Sequence, residues 1–212
     1  MESKCVSDSC CQDHIDFAVL NVKQRRILII VLVINIATFL MMVIAAKISG
    51  SSSLLSGALD NFGDAITYIL SLFVVGASLA AKARVAMFKG FLIFGAAIVV
   101  AFVIGLRILH PETPIFETMG IAALINLAAN LLCLWLLTPY RNGDVNMSSA
   151  WECSRNDVGE GFAVIAAALA VWVFGSGWPD LLIAIGLLIL FLWSATRVIR
   201  GAWKELHQTT IQ

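Results

Sequence analysis

Long apolar stretches separated by short polar segments fill most of the chain, and six of these stretches are long enough to cross a membrane. Each approaches the roughly 20 residues that an α-helix needs to span a hydrocarbon core about 30 Å thick. The predicted spans cover residues 26–46, 54–81, 88–109, 116–137, 148–174 and 181–199. The pattern therefore predicts an all-α, polytopic membrane protein with six transmembrane helices.

The composition excludes a soluble domain. The chain has 212 residues, of which 60% are hydrophobic and only 13% are charged, so it lacks the polar surface that a soluble protein of this size needs. The first 22 residues are polar, which excludes a cleavable signal peptide at the start of the chain. We expect a polar tail over residues 1–22, a transmembrane domain over residues 23–200 and a short second tail over residues 201–212.

The basic residues predict the orientation of the spans. Of the 14 lysines and arginines, Lys47 and Arg107 fall on one side of the predicted membrane and Arg155 falls inside the fifth span. The others all lie on the side of the two termini. Because basic residues are enriched in cytoplasmic segments, both termini are predicted to be cytoplasmic, in a multi-pass protein of the cell inner membrane. The lipid bilayer is then a partner, and no nucleic-acid partner is expected.

Two pairs of side chains carry the candidate chemistry. Asp60 and Asp64 in the second span are four residues apart, and so are Cys153 and Asp157 in the fifth. This spacing places both members of a pair on one face of a helix. A carboxylate in hydrocarbon is costly, so buried aspartates are functional candidates. On facing helices, three carboxylates and one thiolate would suit a tetrahedral divalent ion such as Zn²⁺ or Cd²⁺, and protons would compete with that ion.

Each pair also has a structural interpretation. Asp60 lies near the start of its span and could cap the helix or reach the interface. A single buried cysteine such as Cys153 is more often a small core residue than a ligand.

Further polar residues are candidates for supporting roles. Asn126 and Asn130 share a face of the fourth span and are expected to form hydrogen bonds between helices. Four residues are candidates for a second shell around the metal ligands or for a proton relay: Asn61, Asn130, Asn156 and Glu160. The N-terminal tail contains thiols and an imidazole that would dock soft metals, although they could also be incidental: Cys5, Cys10, Cys11 and His14.

The segments around the two pairs resemble a known family. Residues 51–64 resemble the second span of the cation diffusion facilitator family, and residues 148–157 resemble its fifth span. The resemblance implies a homodimeric metal/proton antiporter in which Asp60, Asp64 and Asp157 are metal ligands. Cys153 stands where the family often has histidine, which would favour softer ions. We expect no cytoplasmic C-terminal domain after the sixth span and therefore a short subgroup, with a dimer held by membrane helices.

The predicted function is efflux of a divalent heavy-metal ion by proton antiport. The ion is the transported substrate, and no cofactor is expected. Two alternatives are a membrane metal receptor or scaffold that uses the cysteine-containing tail, and a proton-coupled transporter of another cation. The chain contains neither a His-Glu-x-x-His nor a Gly-x-Ser-x-Gly motif, so we expect no enzyme.

Overall fold

The computed structural model describes residues 22–73, 79–110, 112–142 and 145–209, and these residues form six long helices without a β-strand. The prediction of an all-α fold is confirmed. The tail residues Cys5, Cys10, Cys11 and His14 lie outside the described residues. The helices are α1 Val22–Ser49, α2 Ser52–Phe73, α3 Leu79–Leu109, α4 Phe116–Leu137, α5 Val145–Phe174 and α6 Trp178–Thr209, with a 3₁₀ turn over Thr138–Tyr140.

The helix ends differ from the predicted span ends most clearly around residues 73–88 and at the end of α6. Residues 79–81, which the sequence pattern assigned to the second span, belong to the start of α3. Helix α6 continues to Thr209, past the predicted span end at residue 199. An apolar stretch marks only the part of a helix that lies in hydrocarbon. The helix itself can continue into water, because its backbone hydrogen bonds do not depend on apolar side chains.

Five of the described helices are long and apolar enough to cross a membrane. They are α1 and the segments at 90–109, 116–140, 150–174 and 178–197. The described part of α2 is not among them, and it contains several serines together with Asp60, Asn61 and Asp64. Its polar residues are shielded by other helices, so α2 fits the interior of a polytopic membrane protein.

Helix α2 lies at the centre of the bundle. It contacts α1, α3, α5 and α6, while α3 packs along α6 and α4 packs along α5. From Ser52 to Leu70 none of its side chains is exposed. Large apolar side chains on the outer helices, such as Phe91, Phe102 and Leu124, are exposed, as expected for a surface that faces lipid.

Contacts between helix ends establish the alternating direction of the helices. The backbone N–H of Ile115, just before α4, donates to the carbonyl of Ser49 at the end of α1, at 2.8 Å. The start of α6 contacts the start of α2 through Asp180 and Ser53. These helix ends therefore lie at one end of the bundle. Val22 and Thr209 lie at the opposite end, which agrees with the predicted placement of both termini on one side.

Glycines terminate α1 and α5 at that shared end. Gly50 and Gly175 have positive φ angles of 73° and 59°, a conformation that costs a residue with a side chain more than it costs glycine. Their N–H groups donate to the carbonyls of Ala46 and Val171, both at 2.9 Å. This is the usual way in which a glycine ends a helix and permits a short connection.

Candidate metal-binding cavity

A cavity of about 410 Å³ lies among α2, α5 and α6. Helix α6 supplies mainly apolar side chains to its wall, including Leu187 and Phe191. Its polar wall comes from α2 and α5 and consists of Asp60, Asp64, Arg155, Asn156, Asp157 and Glu160. Four carboxyl groups therefore face one cavity inside the membrane-spanning part of the molecule.

The structure brings the three predicted aspartates to this cavity. Asp64 and Asp157 are 7% and 4% exposed, and Asp60 is half-buried. The side chains of Asp60 and Asp157 lie within hydrogen-bonding distance of each other. Two carboxyl groups this close cannot both remain ionised without a proton or a cation between them. The pair from α2 and α5 is thus suited to hold either a proton or a positive ion.

Cys153 lies beside the cavity and not in its wall. Its thiol forms no disulfide with another described cysteine and is only 4% exposed, and the residue is absent from the cavity lining. The buried Tyr68, one turn after Asp64 on α2, lies within electrostatic range of Asp64, Cys153 and Asp157. Tyr68 was not among the residues predicted from the sequence, although its four-residue spacing from Asp64 could have indicated it.

Two of the predicted supporting residues line the cavity. Glu160 is half-buried and lies within electrostatic range of Asp60 and Asp64. Asn156 also lies in the wall. Arg155, the preceding residue, also lines the cavity. Its guanidinium stacks over the ring of Trp151, 5.4 Å from the ring centre. Positive charge is therefore present at the edge of an otherwise acidic wall.

Buried asparagines connect α4 to both helices that carry the aspartates. The side-chain amide of Asn61 donates to the side-chain oxygen of Asn126 at 2.9 Å. The amide of Asn130 donates to the backbone carbonyl of Asp157 at 3.5 Å. The predicted hydrogen bonds between helices are confirmed. Asn61 and Asn130 lie next to the cavity and fix the helices that form it.

One carboxylate received no functional role from the sequence. Asp180 directly precedes the sixth predicted span, is 1% exposed and contacts three consecutive serines, Ser51 to Ser53, at the start of α2. Only the packing of α6 against α2 reveals this contact, since 127 to 129 residues of sequence separate the partners.

The carboxyl groups of the cavity lie near one another, but they are not close enough together to coordinate one ion. Within the described residues, no three histidine, cysteine, aspartate or glutamate side chains stand close enough together to hold a metal ion. Coordination of an ion would therefore require the walls of the cavity to move inward.

These features define a class: a multi-pass helical membrane protein with a cluster of carboxyl groups in a cavity between its helices. The family model described as the cation efflux transmembrane domain matches residues 28–207, so the chain belongs to the cation efflux family. The resemblance to the cation diffusion facilitator family, drawn from residues 51–64 and 148–157, is thereby confirmed. Members are transporters and not enzymes, and they carry metal cations across membranes. No curated protein matches the chain.

Proposed function

We propose that the protein exports a divalent heavy-metal ion such as Zn²⁺ or Cd²⁺ in exchange for protons. The observation that supports this most is the shared cavity, in which carboxyl groups from α2 and α5 meet and those of Asp60 and Asp157 lie within hydrogen-bonding distance. Asp60, Asp64 and Asp157 would supply oxygen ligands, and Cys153 would supply a sulfur ligand. The ion is the substrate of the protein.

Competition between ion and protons follows from the charges of the wall. With protons bound, the Asp60–Asp157 pair is stable in its buried position because the repulsion between two carboxylates is absent. A dication removes the same repulsion and replaces the protons. One set of side chains therefore holds one cargo or the other, and exchange needs no second site.

Binding of an ion would draw the cavity walls together. Carboxylate oxygens coordinate Zn²⁺ at about 2.0–2.2 Å, so Asp60, Asp64 and Asp157 would have to approach a common point. The cavity between α2 and α5 leaves room for this movement. The family resemblance further implies a homodimer, and we propose that a second copy associates through the membrane helices in the inner membrane.

The proton gradient provides the test of this function. In inverted membrane vesicles the lumen corresponds to the outside of the cell. An acidic lumen should drive Zn²⁺ into the vesicles, because protons leave as the metal enters. We expect uptake under this gradient, measured with a Zn²⁺-sensitive dye, and its loss when a proton ionophore collapses the gradient. Metal uptake that is unaffected by the ionophore would exclude proton antiport while leaving cation transport intact.

The position of Cys153 gives a prediction for metal preference. A thiolate favours soft ions, whereas an imidazole suits Zn²⁺. We expect Cys153→His to retain Zn²⁺ uptake and to lower Cd²⁺ uptake relative to Zn²⁺ by roughly tenfold. The measurement is uptake of each metal in the same vesicles.

Two variants make this comparison specific. Cys133→Ala changes the other buried cysteine, which lies on α4 and does not line the cavity, and it should leave the metal preference unchanged. Glu160→Gln removes a carboxylate that does line the cavity. If Cys153→His leaves the Cd²⁺/Zn²⁺ ratio unchanged while Glu160→Gln alters it, the fourth ligand is Glu160 and not the thiol.

A further inference from the structure

Asp180, at the start of α6, binds the start of α2 through four hydrogen bonds. One carboxylate oxygen accepts from the Ser51 hydroxyl at 2.7 Å, the Ser53 hydroxyl at 2.6 Å and the Ser53 backbone N–H at 3.0 Å. The other accepts from the Ser52 backbone N–H at 2.6 Å. We call this set the serine–Asp180 contact.

The three serines of this contact are not equivalent. Ser51 and Ser53 donate through their hydroxyl groups, whereas Ser52 donates through its backbone alone. The hydroxyl of Ser52 has no hydrogen-bond partner in the described part of the chain. Substitutions at three adjacent positions can therefore separate the loss of this contact from a general effect of removing a serine.

The serine–Asp180 contact is a strong connection between two helices. Hydrogen bonds to an ionised group are shorter and stronger than neutral ones. The positive end of the α2 dipole also favours a carboxylate at its first turn. One turn deeper, the Ser56 hydroxyl donates to the Ala184 carbonyl at 3.1 Å and continues the same interface.

This contact closes one end of the path to the carboxylates. Asp60 lies eight residues after Ser52, which is about 12 Å along α2. Between the contact and the cavity, Leu54, Ala58 and Ala184 are fully buried, whereas Leu55 is half-buried. The exposed residues of the cavity wall include Arg155 and Trp193. Trp193 follows Asp180 by about 20 Å along α6, so this exposed part of the wall lies far from the Asp180 end.

The Asp180 end is the side that the distribution of basic residues assigns to the outside. A transporter that binds its ion from the cytoplasm must keep the outer side closed during binding and open it for release. Because the serine–Asp180 contact joins α2, which carries Asp60 and Asp64, to α6, opening at this end requires the two helix starts to separate.

We infer that Asp180 is a positioning residue that holds the outer ends of α2 and α6 together, and that release of its hydrogen bonds to Ser51 and Ser53 accompanies opening of the cavity to the outside. This role rests on the proposed transport function, since a receptor or scaffold has no need for an opening on both sides.

Side-specific labelling of a cysteine below the contact tests the inference. Ser56→Cys places a thiol one turn inward of the contact, in a region that is buried in this conformation. Right-side-out vesicles are treated with a membrane-impermeant thiol reagent, and labelling at position 56 is quantified by mass spectrometry. In this background we expect Ser51→Ala with Ser53→Ala, or Asp180→Asn, to raise the labelling rate roughly tenfold, because each change removes hydrogen bonds to a charged group.

Ser52→Ala is the matched control, and it should leave labelling at the rate of the Ser56→Cys parent. The inference is overturned if the Ser51/Ser53 double variant labels no faster than the parent, or if Ser52→Ala accelerates labelling equally. Asp180→Asn risks misfolding, and the milder serine variants remain informative in that case. The assay requires no metal, so a failure of metal/proton exchange in the uptake experiment is distinguishable from a failure of this inference.

Discussion

Asp64→Asn and Asp157→Asn are each expected to abolish metal-dependent transport, with a loss of more than about 100-fold in initial rate. Changes to groups that only orient a ligand already cost about 10- to 100-fold in metal affinity, and removal of a ligand itself should cost more. Asparagine matches the size of aspartate but lacks its negative charge, so it neither balances a dication nor takes up the proton that replaces it. The measurement is Zn²⁺ uptake into inverted vesicles, normalised to the amount of protein in the membrane.

The control for this result is a carboxylate away from the cavity. Glu117 lies in the first turn of α4 and is exposed, so Glu117→Gln should transport at the rate of the unchanged protein. Amounts of protein in the membrane should be equal for all variants, because a neutral side chain in the interior is less costly than a charged one. Retention of more than half of the uptake rate by Asp157→Asn would remove Asp157 from the ligand set.

The second large effect is expected at Gly161, where α5 approaches α4 closely. A Cβ atom at this position would lie 3.1 Å from the end of the Leu127 side chain and 3.6 Å from its Cα atom. Gly161→Leu should therefore separate the helices or force strained side chains, at a cost of about 1–3 kcal/mol. Because Asp157 is one turn away, we also expect loss of transport. Thermal unfolding in detergent and vesicle uptake measure the two effects.

Gly186 on α6 provides the comparison for Gly161. A Cβ atom there would meet no other atom within 4 Å, so Gly186→Leu adds the same side chain to open space. We expect its unfolding temperature to match or exceed that of the unchanged protein, since glycine is less favourable than leucine within a helix. Equal stability of the Gly161 and Gly186 variants would show that the α4–α5 interface is not closely packed at this position.

The sequence was sufficient to predict the class of fold and to single out Asp60 and Asp64 as candidates. In hydrocarbon, backbone polar groups must form hydrogen bonds within their own helix, so each long apolar stretch is expected to form a transmembrane helix. The four-residue spacing of Asp60 and Asp64 fixes them on one face, because a helix has 3.6 residues per turn. These constraints act along the chain, and they made both carboxylates candidates before any packing was known.

The central position of α2 is an intermediate case. Its polar composition indicated a helix with functional polar side chains. The structure shows that α1, α3, α5 and α6 pack around it. Composition alone could not distinguish shielding by protein from a place at the membrane surface, since polarity requires a partner but does not identify one.

Only the tertiary structure decided which side chains meet across helices. The Asp60–Asp157 pair, the Asn61–Asn126 hydrogen bond and the serine–Asp180 contact each join separate helices. The rotation and depth of each helix set these partners, and both depend on the packing of all its neighbours at once. For the same reason the spacing along α5 did not predict which of its residues line the cavity. Cys153, four residues before Asp157, lies beside the cavity, whereas Glu160 lines it.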